Sequence, residues 1–236
     1  MPVKALESFG PIGSGQGRTD PIWIGDDLSG NSFDKSVYVI DRHRADDIDK
    51  VLIPEGLIAD RTAKLAYDLK AVYGEEELHM ICLLKGSRPF YNTLISTMQK
   101  IYAADPTQTV SRYSFFEHFV RVQSYSGTES GDLTVTGMSE LEELRGKHVV
   151  IVEDIIDTGK TLTQFCVYLE QYGAASVRTV SLLEKRKEGR VFSGDFVGFS
   201  IPDVFVVGCG LDYNDFGRQY GHVCVVSQHG VKKYAK

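Results

Sequence analysis

The sequence predicts an α/β fold, with a mainly parallel, twisted sheet flanked by helices and ligands gathered beyond the carboxyl ends of the strands. Three observations carry that expectation. The segments 78–84 (LHMICLL) and 148–152 (HVVIV) are nearly continuous apolar runs without polar alternation, which suits strands buried on both faces. Longer segments repeat apolar residues at the helical period. The two kinds of segment alternate along the chain, which calls for right-handed crossovers.

Taken in order, residues 1–33 are rich in Gly, Ser, Asp and Pro and read as an irregular arm. Gly13, Gly15 and Gly17 do not match G-x-G-x-x-G and follow no strand, so they read as flexible chain. Residues 57–73 form a helix with Ile58, Leu65, Leu69 and Val72 on one face and Gly74 just past its end. After the strand at 78–84, a helix spans about 88–103, with Ser87 as its cap and Pro89 in its first turn. Residues 113–125 read as a strand, 126–132 (SGTESGD) as a loop and 133–136 as a returning strand. Ser139 and Glu142 have capping-box spacing for a short helix. The strand at 148–152 leads into a helix from about 159 to 172, where Leu162, Phe165, Cys166 and Leu169 keep the period and Gly173 closes it. Strands follow at 177–183 and 203–208, so the chemistry is expected just after residues 84, 152, 183 and 208.

A chain of 236 residues suits one α/β domain with a small extra lobe. Its 42% hydrophobic and 25% charged residues are the mix of a globular protein. A net charge of −6 argues against a general nucleic-acid coat, though not against a local basic pocket. The start of the chain lacks the apolar core of a targeting peptide, and no run reaches membrane-spanning length, so a cytoplasmic protein without a membrane partner is expected. Cys82, Cys166, Cys209 and Cys224 sit in apolar stretches and form no C-x-x-C pair, which reads as reduced, buried thiols. Six scattered histidines argue against zinc.

The informative stretch is 149–162, VVIVEDIIDTGKTL. A buried strand runs into Glu153-Asp154, two apolar residues, and then Asp157-Thr158-Gly159-Lys160-Thr161 at a helix start. A helix N-terminus presents free N–H groups and a positive dipole end, so Thr158 to Thr161 can cradle a phosphate. A Walker A loop would need glycine five positions before Gly159, where Asp154 stands, so the P-loop kinase reading fails. Carboxylates accept hydrogen bonds from hydroxyls and approach metals. A ribose 5-phosphate needs both features: a cradle for its phosphate and acceptors for its 2′- and 3′-hydroxyls. Three acids in five positions, flanked by apolar residues, fit this better than a solvated turn.

This segment resembles the 5-phosphoribosyl 1-diphosphate motif of type I phosphoribosyltransferases. EDIIDTGKT is similar to the form found in hypoxanthine-guanine phosphoribosyltransferases. The resemblance runs from about Asp34 to the C-terminus through GLIADRTAKLA (56–66), LLKGSRPF (83–90), the SY of 124–125, SLLEKR (181–186), IPDVFVVG (201–208) and LDYNDFGRQYGHVCVVS (211–227). It implies the type I phosphoribosyltransferase fold, with a core at 34–208 and a segment 209–236 that joins the N-terminal region in a small hood lobe. It also implies purine salvage: hypoxanthine or guanine is joined to 5-phosphoribosyl 1-diphosphate, giving IMP or GMP. A non-catalytic nucleotide-binding or regulatory protein of the same fold is the competing reading, and the presence of Asp157, Lys85, Lys185 and Asp212 argues against it.

By the same resemblance, Asp157 is the general base that takes the proton from purine N7. Glu153 and Asp154 hold the ribose hydroxyls, directly or through Mg²⁺, and Thr158, Gly159, Lys160 and Thr161 hold the 5′-phosphate, with Ile155 and Ile156 completing the phosphoribosyl site. Lys85, Gly86 and Arg218 meet the diphosphate. In the family the Lys85–Gly86 peptide can be cis, and here Ser87, Arg88 and Pro89 follow where Lys-Gly-Gly is common. Lys185 donates to the purine 6-oxo group, Phe205 stacks on the ring, Val204 and Val206 offer backbone groups, and Ile155 packs against the base. Asp212 reaches both guanine's amine and Mg²⁺, so Glu153, Asp154 and Asp212 are the expected metal ligands. Ser124 and Tyr125 belong to a lid over 124–135 that excludes water. The family implies a homodimer or homotetramer.

Overall fold

The computed structural model describes residues 19–30, 33–104, 115–124, 133–137 and 141–236. Its main sheet has seven strands. They are β1 (Ile22–Trp23), β3 (Leu78–Leu83), β4 (Phe115–Ser124), β5 (Leu133–Thr136), β6 (His148–Ile156), β7 (Ser176–Arg186) and β8 (Phe196–Pro202). In space they run β1-β8-β7-β6-β3-β4-β5. All neighbours pair in parallel except β4 and β5, which are antiparallel. The mainly parallel α/β sheet expected from the sequence is present.

Helices cover both faces because the strands bury both. On β6, Val150 and Val152 pack in one core with residues of α1 (Glu55–Tyr73) and α2 (Arg88–Ala103). Val149 and Ile151 pack in the other with Leu162, Phe165, Cys166 and Leu169 of α3 (Lys160–Gln171). Each such side chain removed from water stabilises the fold by roughly 1.5–3 kcal/mol. Pro54 precedes α1, and Gly74, at φ +57°, ends it.

Several elements differ from the sequence expectation. β6 continues to Ile156 instead of ending at 152, since Ile155 and Ile156 still lie opposite Leu183 and Glu184 of β7. β8 was not expected as a strand, and β1 adds a short edge to it from within the arm. The strand expected at 203–208 shrinks to β9 (Val206–Val207) and lies outside the main sheet. It joins β2 (Ile48–Ile53) and β10 (Val223–Val226) in a three-stranded antiparallel sheet. Ser87 precedes α2 but makes no side-chain cap bond. Leu141–Leu144 is a 3₁₀ turn, while Ser139 lies outside the described residues.

The small sheet has its own core of Ile48, Val51, Val207, Phe216, Tyr220, Cys224 and Val226. The final helix, α4 (Gln228–Tyr234), is tied to it by the buried Asp47. Asp47 accepts from Lys233 Nζ at 2.9 and 3.1 Å and from the Tyr234 hydroxyl at 2.9 Å. Burial alone would raise its pKa, but these bonds and the charges of Lys233 and His229 outweigh that and hold it below its usual 3.8. A depressed carboxylate stabilises fully above its unfolded pKa, and the contribution is lost as pH falls through the folded value. Amide exchange should show α4 losing protection before β6 as pH is lowered from about 5 to about 3. Simultaneous loss in both would show that Asp47 does not anchor the helix.

Candidate functional site

Where β3 and β6 end, the chain leaves a cleft of about 370 Å³. Its walls include Lys85 and Gly86 after β3, Glu153 to Thr161 from β6 into α3, and Asp212 and Arg218 from the segment before β10. It lies beyond the carboxyl ends of parallel strands, where such sheets bind ligands. The structure thus brings together Glu153, Asp154, Ile155, Ile156, Asp157, Thr158, Gly159, Lys160, Thr161, Lys85, Gly86, Asp212 and Arg218.

The turn from β6 to α3 is shaped by Gly159. It caps the helix in the left-handed region at φ +75°, and a Cβ there would sit 2.4 Å from Phe192 Cβ. Its carbonyl accepts from both the N–H and the hydroxyl of Thr163 at 2.9 Å. The first turn of α3 stands at the cleft wall, and the positive end of a helix dipole favours an anion there.

The acids are held by backbone contacts. Asp154 N–H donates to Ser87 Oγ at 3.0 Å, and Asp154 Oδ1 accepts from Ile155 N–H at 2.9 Å. Gly86 lies so close that a Cβ would fall 1.6 Å from Asp154 Oδ2. Burial first, and next the Asp154 carboxylate, pushes Glu153 well above the usual carboxylate range. Asp157 Oδ1 is shielded from solvent and lies 3.1 Å from Lys187 Nζ, and the ionised carboxylate keeps further lone pairs for an incoming N–H.

Across the cleft, Asp212 Oδ1 pairs with Arg218 at 2.7 Å, and its Oδ2 accepts from Asp215 N–H at 2.6 Å. Arg218 also donates to the Gly210 carbonyl at 2.8 Å. Gly210, at φ +93°, packs against the Lys85–Gly86 loop, and a Cβ would fall 2.0 Å from the Gly86 oxygen. The neighbouring Cys209 thiol is pushed up to about 11 by burial first and then by Asp154 and Glu55, which makes it inert as a nucleophile.

Lys185, Val204, Phe205 and Val206 are not among the cleft walls and form an adjacent group. Lys185 is buried, pairs with Asp203 at 3.4 Å and lies 5.4 Å from the Phe205 ring centre. Phe205 is 64% exposed, unlike a core phenylalanine. Val204 N–H already donates to the Pro202 carbonyl at 2.9 Å, and Val206 stands opposite Val225. The cis peptide lies at Leu84–Lys85, one bond before the Lys85–Gly86 bond expected. Ser124 ends β4 opposite Leu133, whereas Tyr125 and the lid residues 126–132 lie outside the described residues. Sequence reading missed Ser87 as a partner of Asp154, Lys187 as a partner of Asp157, and Val122 and Phe165 as cleft walls. Only the position of Ser87 and Lys187 just past strand ends hinted at them.

Gly86→Ala tests the close approach. A methyl at that position overpacks a buried loop, which typically costs about 1–3 kcal/mol. The expected result is a Tm lower by roughly 2–10 °C in calorimetry. An unchanged Tm would show that loop and carboxylate separate freely.

A family profile described as the phosphoribosyl transferase domain matches residues 53–214. The chain is 44% identical over 223 residues to the hypoxanthine-guanine-xanthine phosphoribosyltransferase of Plasmodium falciparum (isolate K1 / Thailand), spanning 94% of this chain and 95% of that one. It is 40% identical over 219 residues to the hypoxanthine-guanine phosphoribosyltransferase of Homo sapiens, spanning 92% and 98%. The crystal structure of the hypoxanthine-guanine phosphoribosyltransferase of Schistosoma mansoni in complex with IMP matches with a TM-score of 0.78 at 32% identity, covering 92% of this chain and 100% of that one. With its cleft built on the β6–α3 turn and these relatives matched over nearly their full length, the chain belongs to the hypoxanthine-guanine phosphoribosyltransferase family.

Proposed function

We infer that the chain transfers the 5-phosphoribosyl group of 5-phosphoribosyl 1-diphosphate to N9 of hypoxanthine or guanine, giving IMP or GMP and diphosphate in purine salvage. The observation that carries this reading is one cleft lined by the tip of α3, the acids Glu153, Asp154 and Asp157, and the cations Lys85 and Arg218. That set matches a sugar phosphate with a charged leaving group. The names of the relatives supply the purine.

On this reading the 5′-phosphate sits on Thr158 to Thr161, with Ile155 and Ile156 behind the sugar. Glu153 and Asp154 accept from the ribose hydroxyls. Lys85, the Gly86 backbone and Arg218 hold the diphosphate. The C1′–oxygen bond breaks and its electron pair leaves with the diphosphate, where these cations meet the developing charge. N9 of the purine forms the new bond, and Asp157 takes the proton from N7. Lys185 donates to the 6-oxo group, Phe205 stacks on the ring, and Ile155, the backbones of Val204 and Val206, and Asp212 frame the base. Ser124 and Tyr125 close the site against water.

The donor set fits Mg²⁺. Among the described residues no three acidic, histidine or cysteine side chains gather to hold a metal by themselves. Glu153, Asp154 and Asp212 line the same cleft, and Mg²⁺ is commonly held by one or two carboxylates with substrate oxygens completing its shell. Bound there, Mg²⁺ would neutralise charge on the diphosphate. The reading extends to a homodimer or homotetramer in the cytoplasm, where the four free cysteines suit a reducing compartment.

A turnover panel of hypoxanthine, guanine, xanthine and adenine, each with and without Mg²⁺, tests the reading. Xanthine is included because one relative's name contains it. Hypoxanthine and guanine should react. No turnover with either would favour a non-catalytic nucleotide-binding protein. Asp157→Asn should keep IMP affinity within a few-fold and slow kcat by about 10²–10⁴-fold. A rate near wild type removes Asp157 from the role. Lysine only donates, so it suits a carbonyl and not adenine's amino group. Lys185→Gln should therefore weaken discrimination against adenine, read as the ratio of kcat/KM values. An unchanged ratio would show that Lys185 does not read the 6-position.

A further inference from the structure

Asp157 is gripped from a second element. β7 ends at Arg186, and the segment that follows is tied to the 157–159 turn at three points. Lys187 Nζ lies 3.1 Å from Asp157 Oδ1 and donates to Oδ2 at 3.4 Å. Val191 N–H donates to the Thr158 carbonyl at 2.9 Å. Phe192 fills the space that a side chain at Gly159 would need. The segment is itself fixed to β7. Arg190 pairs with the buried Glu184 at 2.5 Å and donates to the Lys185 carbonyl at 3.2 Å, and Glu184 accepts from Gly194 N–H at 3.0 Å.

We propose that Lys187 is a positioning residue, which holds the Asp157 carboxylate in the orientation that meets the purine. This rests on the reading of Asp157 as the general base. The Asp157 side chain is 47% exposed, so an unheld carboxylate would sample several rotamers. A displacement of about 1 Å at a reacting group can cost 10²-fold in rate. The hydrogen bond and charge of Asp157 raise the pKa of Lys187, with a further contribution from Asp203, so the ammonium stays charged. An ionised carboxylate has about four lone-pair sites, so one ammonium leaves acceptor capacity for the base. An ion pair this exposed contributes little to folding. Its effect therefore falls on turnover and not on Tm.

The test is a double-mutant cycle of Lys187→Met and Asp157→Asn, with Lys187→Arg as the conservative variant. Lys187→Met should lower kcat roughly tenfold, with Tm and the KM for 5-phosphoribosyl 1-diphosphate unchanged. Lys187→Arg should restore most of the rate. In the Asp157→Asn background, Lys187→Met should have no further effect. A Lys187→Met rate within about twofold of wild type overturns the proposal. So does an equal loss in the Asp157→Asn background, or an arginine variant as slow as the methionine one. A wild-type chain that turns over no purine overturns the functional reading itself, an outcome distinct from these.

Discussion

The parallel pairing of β6 between β3 and β7 is the constraint on which the rest of the molecule depends. Val149 to Val152 are fully buried, with alternate side chains in the α1–α2 core and the α3 core. A strand locked from both faces and both edges emerges at a fixed point and in a fixed rotation. That fixes where Glu153, Asp154 and Asp157 stand, and it aims the tip of α3 at the same space. Slippage of β6 by one residue would exchange its two faces and carry the acids with it.

Close backbone approach then assembles the cleft around that turn. Gly86 lets the loop after β3 lie against Asp154, Gly210 lets the segment before β10 lie against Gly86, and Gly159 lets Phe192 lie against the head of α3. Each contact has no room for a Cβ, so the walls of the cleft are set by backbone and not by long, mobile side chains. The cost is electrostatic. Glu153 and Asp154 are adjacent carboxylates, and both burial and like charge work against ionising Glu153. Donors nearby offset part of this: Arg218 on Asp212, the Ile155 N–H on Asp154, and Lys187 on Asp157.

Much of this was legible in the chain. The runs at 78–84 and 148–152, the period of Leu162, Phe165, Cys166 and Leu169, and the acids before Thr158-Gly159-Lys160-Thr161 are local signals, and local chemistry produced the elements they foretold. The three-stranded sheet was not legible. β2 and β10 stabilise one another across roughly 170 residues, and β9, legible only as part of a longer run at 203–208, takes its place beside β10 through that distant pairing. β8 was missed for a related reason, since Gly198 and Pro202 punctuate a run whose strand character comes from its pairing with β7.

The sequence by itself determined the α/β class, the helix tip that can take a phosphate and the acidic triplet beside it, because each depends on residues within one or two turns of one another. Resemblance named Lys85, Asp212 and Arg218 as partners of that tip, but tertiary structure decided that they share a cleft with it, that Ser87 serves Asp154 instead of capping α2, and that Lys187 reaches Asp157. Those contacts join segments from different strands. They exist only after the sheet has set its order and register, which no local preference encodes.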